Sequence, residues 1–237
     1  MGFFKDIGRP VLSDHTIMKY NKKGLLIEQP INENQLQPNS VDLTLGNTFS
    51  IIQQNCWEPG GDPNHIVLVQ GDDGKAHREY LSGVVDTKKE INYINGTFQV
   101  RPLKEILWHP SGKPENIPFN PDEKWIEIKP GQFILLASQE ILNIPNGIIA
   151  FVQGRSSIAR LGIQTEQAGL IDAGFRGTIT FEVFNQTEHS IILYAGQRIA
   201  QVYFFKAQYA DKIYGITHNS KYSGQIVATG SKIFNDK

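Results

Sequence analysis

The sequence predicts a mainly β protein, a distorted jelly roll or β-sandwich with a few short helices. Short apolar segments with the alternation of strands recur along the chain, and Gly, Pro and Asn separate them. The segments are 40–45, 125–128, 133–137, 148–153, 178–184, 190–193 and 199–205. Only two segments have a helical pattern, so strands are the main element.

The first helical segment is expected at 14–22, with Ser13 as its N-cap. The second is expected to form one or two turns at 156–161, with Ser156 or Ser157 at its start. Both segments are short, so neither changes the fold class.

The length of 237 residues suits one large domain with a buried core, spanning 1–237. Residues 56–122 are less regular and contain many Pro and Gly, and we interpret them as long loops and excursion strands inserted in this domain. Residues 206–237 carry five lysines and two aspartates. We expect this C-terminal tail to be mobile and to close over a phosphate.

Composition and charge narrow the classes of function. The chain has 23 basic and 24 acidic residues, which argues against non-specific nucleic-acid binding. The single cysteine, Cys56, excludes an internal disulfide framework and fits a reducing compartment. No apolar run approaches membrane-spanning length, and the N-terminus lacks a signal-peptide pattern. We therefore expect a soluble cytoplasmic protein, or one of the host cytoplasm if it is viral, with no membrane partner.

The segment Gly154-Arg155-Ser156-Ser157 combines a guanidinium, two hydroxyls and the expected start of a helix. Backbone N–H groups at a helix start and a guanidinium are good ligands for a triphosphate. The alternative is an ordinary N-cap with surface arginines, which the spacing alone does not exclude.

Glu182 is the carboxylate in an otherwise apolar strand segment, TITFEVF at 178–184. Strict alternation places Ile179, Phe181 and Val183 on one face and Glu182 on the other. Glu182 then lies either on a solvated face or in a cleft, where a carboxylate is suited to general acid–base chemistry.

Asp172 lies in a Gly-containing turn, Ile171-Asp172-Ala173-Gly174-Phe175. It could stabilise the turn by local hydrogen bonds, as Asp does in Asx turns. It could instead bind a sugar hydroxyl, with Phe175 packed against the sugar ring.

Zinc-dependent base deaminases hold their metal with a His-x-Glu and a Pro-Cys-x-x-Cys motif. None of the six histidines has that spacing, and Cys56 is the one cysteine. If this protein deaminates a base, we expect it to do so without zinc.

Three blocks of the sequence resemble the dCTP deaminase branch of the superfamily shared with trimeric dUTPases. They are LSDHTI, GLLIEQP and LQPNSVDLTLG near the start, GRSSIARLGI, AGLIDAGFRG and Glu182 in the centre, and Tyr214, KYSGQ and Ser231-Lys232 near the end. The resemblance implies a dUTPase-like fold. It does not cover residues 56–122.

The resemblance also implies catalytic roles. Glu182 would be the general base that activates a water to attack C4 of cytosine. Ser156 and Arg160 would position that water and polarise the ring.

Further residues would bind the nucleotide. Arg155 and Ser157 would contact phosphates, Ala168 the base, and Asp172 the deoxyribose 3′-hydroxyl. Tyr214, Lys221 and Gln225 would clamp the triphosphate, with Mg²⁺ held through its phosphates. Phe175 and Gln201, the latter in the dUTPase-like motif GQRIAQ (196–201), complete the set of nucleotide-binding candidates.

Members of this family are homotrimers with a site at each subunit interface, so the resemblance implies that more than one chain contributes residues. Glu166 and Gln167 stand where the family usually has Val-Thr, which leaves open the exact base accepted. AGLIDAGFRG lacks the His-Arg of deaminases that stop at dUTP, and is nearer to bifunctional members that release dUMP. The alternatives are a dUTPase, with Asp172 activating the water, or a non-catalytic nucleotide-binding relative.

Overall fold

The computed structural model describes residues 10–52, 66–70, 76–80, 93–100, 107–108, 114–115, 124–165, 168–217 and 220–236. Two α-helices and sixteen strands lie in these ranges. The helices are α1 (Asp14–Asn21) and α2 (Ser156–Ala159), and a 3₁₀ turn covers Ile233–Asn235. The strands are β1 (Leu26–Ile27), β2 (Val41–Ile52), β3 (Ile66–Gln70), β4 (Ala76–Tyr80), β5 (Tyr93–Thr97), β6 (Gln99–Val100), β7 (Leu107–Trp108), β8 (Pro114–Glu115), β9 (Lys124–Ile128), β10 (Phe133–Asn143), β11 (Ile148–Gly154), β12 (Ile163–Gln164), β13 (Leu170–Ile171), β14 (Arg176–Asn185), β15 (Ile191–Tyr194) and β16 (Arg198–Lys206).

The main sheet has nine strands in the order β12-β14-β10-β2-β16-β11-β13, with β1 added to β10 and β5 added to β2. Each of its pairings is antiparallel. A second sheet has the order β15-β9-β6, and β3-β4 and β7-β8 form two-stranded sheets. The predicted fold class, mainly β with few short helices, is confirmed.

The larger of two buried apolar clusters among the described residues draws on both the main and the second sheet. Phe181, Phe204, Leu43 and Leu136 are fully buried there, and α1 contributes the fully buried Ile17. Each such side chain contributes on the order of 1.5–3 kcal/mol by its removal from water. Because one face of β14 packs against this core, the side chains on its other face are held in position.

The helix predicted at 14–22 is confirmed as α1. The Ser13 side chain accepts a hydrogen bond from the Thr16 N–H, as expected for an N-cap. The last residue, Asn21, is buried, and its side-chain amide donates to Ile27 O at 2.7 Å and to Gln29 O at 2.9 Å. These bonds hold β1 and the residues after it against the end of α1.

Each predicted strand is present, but most are longer than the sequence indicated. The segment 133–137, for example, continues as β10 to Asn143. Part of the predicted 56–122 excursion lies outside the described residues, including Cys56. The described part includes β5, which pairs with β2 over Thr48–Ile52. The domain boundaries and the mobility of the tail stay predictions. No helix in the described ranges is long and apolar enough to cross a membrane.

Candidate active site

A cavity of about 470 Å³ lies between β14, the segment 168–172 and the C-terminal tail. Its apolar lining comes from Phe133, Leu135, Val152, Leu170, Ile171, Phe175 and Ile179. Its polar lining comes from Asp172, Thr180, Glu182, Tyr214, Tyr222, Gln225, Thr229 and Ser231, with Ala168, Gly169 and Gly230 between them. An apolar pocket with a few convergent polar groups is the usual form of a small-molecule site.

Glu182 lies half-buried in the wall of this cavity. Its neighbours along β14, Phe181 and Val183, are fully buried in the core, and its register partner on β10 is Leu135. The strand is therefore held on one face by the core and on both edges by hydrogen bonds. Of the two sequence alternatives for Glu182, the structure supports the cleft.

The alternation predicted for β14 is seen at Phe181, Glu182 and Val183, while Ile179 packs against the core and also lines the cavity. The register between β10 and β14 shifts between Ala137 and Ile141, as it does at a β-bulge. Within the bulge, the Ser138 hydroxyl accepts a hydrogen bond from the Ile179 N–H at 2.9 Å and donates to Glu140 O at 2.7 Å. The extra residues of the bulge, 138–140, thus lie opposite Ile179, and the neighbouring Thr178 is buried.

Asp172 lines the cavity from a tight turn. The turn is closed by the Phe175 N–H, which donates to Asp172 O at 3.2 Å, and by the Gly174 N–H, which donates to Ile144 O at 2.8 Å. Gly174 has φ +95°, and a Cβ there would lie 2.7 Å from Tyr214 O. Glycine is thus required both by the backbone conformation and by the close approach of the tail.

Phe175 and Tyr214 pack together at the base of the cavity, with their ring centroids 5.8 Å apart. Phe175 is buried, so it holds the Tyr214 ring in place as well as lining the cavity. Burial raises the pKa of Tyr214, and the negative charge of Asp172 raises it further. The Tyr214 hydroxyl therefore remains protonated at neutral pH and is able to donate a hydrogen bond.

The tail runs along the first half of β14 and forms one side of the cavity. The Thr178 N–H donates to Gln225 O at 2.9 Å, and the Gln225 amide donates to Thr178 O at 2.7 Å. Further along, the Thr229 N–H donates to the Thr180 hydroxyl at 3.2 Å. The Gln225 amide oxygen, Oε1, is buried without a hydrogen-bond donor among the described residues.

The structure divides the predicted site residues into two groups. The first lines the cavity and contains Ala168, Asp172, Phe175, Glu182, Tyr214 and Gln225. The second does not line it and contains Arg155, Ser156, Ser157, Arg160, Gln201 and Lys221. Within the second group Ser156, Ser157 and Arg160 are exposed, and Lys221 forms an ion pair with Asp236.

The helix α2 begins at Ser156, as the sequence indicated, but it ends at Ala159 rather than at Leu161. Arg155, with extended backbone at φ −77° and ψ 140°, is the N-cap, and its side chain makes no capping hydrogen bond. The helix has only four residues, so it presents too few aligned peptide dipoles to form an anion site by itself. The Arg155 guanidinium instead forms an ion pair with Asp42, with 3.4 Å between Nε and Oδ1. Any phosphate contact at this place therefore depends on side chains.

A family model described as dCTP deaminase-like matches residues 11–70 and 99–207 of the chain. The chain belongs to this family. A protein of a Sulfurihydrogenibium species, named dCTP deaminase, dUMP-forming, is 36% identical over 228 residues, covering 96% of this chain and 99% of that protein. The protein of the same name from Aquifex aeolicus is 33% identical over 227 residues, covering 96% and 97%.

The crystal structure of 2′-deoxycytidine 5′-triphosphate deaminase from Agrobacterium tumefaciens is similar to this chain, with a TM-score of 0.51 and 19% identity. The match covers 84% of this chain and 48% of that one. At this identity the likeness concerns the fold. The family and the fold expected from the three sequence blocks are both confirmed.

Some cavity residues of this dCTP deaminase-like chain were not found from the sequence. Tyr222 is the clearest: its N–H lies 3.4 Å from the Tyr214 hydroxyl that accepts it, and its own hydroxyl accepts a bond from the Lys232 N–H at 3.0 Å. Tyr222 lies within the block KYSGQ, and this position could have identified it as a site residue from the sequence. No sequence pattern identifies Thr229 as a site residue, because only the path of the tail brings it to the cavity. Glu166 and Gln167 lie outside the described residues.

Proposed function

We propose that this protein hydrolyses dCTP to dUTP and ammonia and then cleaves dUTP to dUMP and pyrophosphate. The observation that carries the proposal is the position of Glu182, half-buried in the wall of a nucleotide-sized cavity beside Asp172 and Tyr214. Relatives between 30% and 36% identical over at least 94% of the chain are named dCTP deaminase, dUMP-forming. They support the dUMP-forming reaction over one that stops at dUTP.

Glu182 acts as the general base in this proposal. It takes a proton from a water, whose oxygen forms a bond to C4 of cytosine while the ring electrons move towards N3. Glu182 then delivers the proton to N3. Glu182 next takes the proton of the new C4 hydroxyl and passes it to the exocyclic nitrogen, so that the C4–N4 bond breaks as the C4 carbonyl forms, which releases ammonia and leaves a uracil ring.

Asp172 binds the deoxyribose 3′-hydroxyl, and the main chain of Ala168 contacts the base. Tyr214 and Lys221 bind the triphosphate, and Mg²⁺ enters with the nucleotide as part of the substrate. Gln225 is better suited to a different contact: its amide nitrogen is held by Thr178 O, and the remaining Oε1 accepts rather than donates. A hydroxyl, an amino group or a phosphate-bound water fits Oε1 better than a bare phosphate oxygen.

The exposed group on and around α2 completes the site from a neighbouring copy of the chain. Ser156 and Arg160 position the attacking water, and Arg155 and Ser157 bind phosphates. These four side chains do not line the cavity of their own chain, which supports a site shared between copies. We therefore propose a homotrimer with a site at each interface. We propose the cytoplasm as its location, since its substrates are free nucleotides.

Separate incubations with dCTP and dUTP, both with Mg²⁺, test the proposal when ammonia, pyrophosphate and nucleotide products are measured together. We expect ammonia, pyrophosphate and dUMP from dCTP in equal amounts. Accumulation of dUTP without dUMP would refute the second step. Production of dUMP from dUTP alone, with no ammonia from dCTP, would identify a dUTPase instead.

A further inference from the structure

Asp42 on β2 is a buried carboxylate to which the proposed chemistry assigns no role. Its side chain is 2% exposed and contacts two arginines that lie partly at the surface. Oδ1 lies 3.4 Å from Nε of Arg155, and Oδ2 lies 3.1 Å from Nη1 of Arg198. The Gln37 amide also donates to Oδ2, at 3.4 Å.

Three contacts fix the Arg155 side chain and backbone. Besides the ion pair of Nε with Asp42, Nη1 donates to Arg198 O at 3.3 Å, and the Arg155 N–H donates to Ile199 O at 3.1 Å. The side chain nonetheless stays 26% exposed. Because Nε and Nη1 each make a contact, the guanidinium is held in one orientation, and its remaining N–H groups are those that can bind a ligand.

Stability alone is a weak explanation for this cluster. Removing a carboxylate from water is unfavourable, and a buried ion pair often stabilises a protein no more than apolar residues of similar volume would. An ion pair does, however, fix the orientation of a planar guanidinium. A guanidinium that is already oriented loses less side-chain entropy when it binds a phosphate.

We propose that Asp42 is a positioning residue, which holds the Arg155 guanidinium in the orientation that binds the phosphates of the nucleotide. This inference rests on the proposed function, because that function assigns Arg155 to the phosphates. Asp42 itself is buried beneath Arg155 and does not line the cavity.

The test compares Asp42→Asn, Arg155→Ala and the double variant in calorimetric binding of dCTP and of inorganic triphosphate, both with Mg²⁺. We expect Asp42→Asn to weaken binding of both ligands roughly tenfold. The value of kcat should change less than KM. If Asp42 acts through Arg155, the double variant binds no more weakly than Arg155→Ala alone. The inference would be overturned if the double variant lost affinity by the product of the two single-variant losses, or if Asp42→Asn bound with native affinity.

Arg155→Lys provides a variant that keeps the positive charge but loses the Nε contact. We expect its affinity to fall nearly as far as that of Arg155→Ala, and native affinity would contradict the need for orientation. Arg198→Gln is the matched control, since it removes the other arginine from the same carboxylate. We expect it to lower Tm without lowering affinity. An equal loss of affinity in Arg198→Gln would show that the cluster acts through stability and would overturn the inference.

The binding measurements also separate the two proposals. A protein that binds dCTP but releases no ammonia would refute the proposed function, while the comparison of variants would still decide the role of Asp42. A protein that binds neither dCTP nor inorganic triphosphate would refute both.

Discussion

Glu182 lies between two fully buried residues of β14, Phe181 and Val183. Their packing leaves the strand little freedom, so the carboxylate keeps its direction towards the cavity. A general base has to lie within hydrogen-bond reach of the proton that it takes, and a rigid strand provides this better than a loop does.

Replacing Glu182 with Gln removes the base and keeps the size of the side chain. We expect Glu182→Gln to reduce ammonia release from dCTP by roughly 10²–10⁴-fold. The affinity for dCTP should stay within about threefold, since the proposed role is in the chemical step. Glu188→Gln, at an exposed position, is the control and should keep native activity. Near-native turnover by Glu182→Gln would refute the role of this carboxylate.

Glu140 is a second buried carboxylate, and it lies beside the bulge of β10. It accepts hydrogen bonds from the Thr44 N–H at 2.9 Å, from the Thr44 hydroxyl at 2.5 Å and from the Gln35 amide at 2.7 Å. Burial raises the pKa of Glu140, and these hydrogen bonds oppose the rise. The folded protein therefore holds this proton more tightly than the unfolded chain does.

The sign of the pH dependence follows from this shift. The contribution of Glu140 to the free energy of unfolding is largest below the ordinary glutamate pKa and falls as pH rises through the raised value. Glu140→Gln lacks this titration. We expect the Tm of the wild type, minus the Tm of Glu140→Gln, to decrease from acidic to neutral pH. Glu127→Gln, at an exposed position, should show no such trend, and a constant difference for Glu140→Gln would contradict the shift.

At the scale of elements, the cavity depends on the close approach of a turn and the tail. Gly174 in the turn lies against Ile213 and Tyr214, and Gly177 at the start of β14 lies against Gln225. A Cβ at Gly177 would lie 2.7 Å from Gln225 O. The two glycines thus allow the tail to pack directly on the backbone beside the cavity.

Gly174→Ala tests this packing. Both this variant and Gly131→Ala place alanine at positive φ, which costs about 1–2 kcal/mol, but a Cβ at Gly131 meets no atom within 4 Å. We expect Gly174→Ala to lower Tm further than Gly131→Ala does and to raise KM for dCTP, because the tail is displaced. Gly131→Ala should leave KM unchanged. Equal KM values in the two variants would show that the approach of the tail does not shape the site.

At the scale of the molecule, the two groups of proposed site residues are separated within one chain. The cavity contains Glu182, and the exposed group contains Ser156 and Arg160. We propose that a site with both groups is assembled from two copies. In a closed trimer, each interface would pair the cavity of one chain with the exposed group of the next.

Mixing two inactive variants tests this assembly. Glu182→Gln and Arg160→Gln each lack a different part of the site, and each alone should release little ammonia. After unfolding and joint refolding, about a quarter of the sites in randomly mixed trimers carry both intact groups. We expect ammonia release to recover to about that share of the wild-type rate. No recovery, in mixtures whose mass shows that mixed trimers form, would place the whole site within one chain.

The sequence alone determined the elements and the family, because both depend on local patterns. Apolar alternation located the strands, Ser13 located the start of α1, and three separated blocks identified the family. Glu182 also stood out by sequence, since it is an acid within an otherwise apolar strand segment, whereas Asp172 was a candidate that an ordinary turn could equally explain.

The tertiary structure decided the features that depend on contacts between distant segments. Pairing with β10 placed a bulge opposite Ile179, and the alternation within β14 contained no sign of it. The path of the tail brought Thr229 beside Thr180, and the pairing of β16 with both β2 and β11 brought Asp42 and Arg155 together. Residues far apart in sequence meet through these pairings, and the pairings follow from burial of the whole core rather than from any one segment.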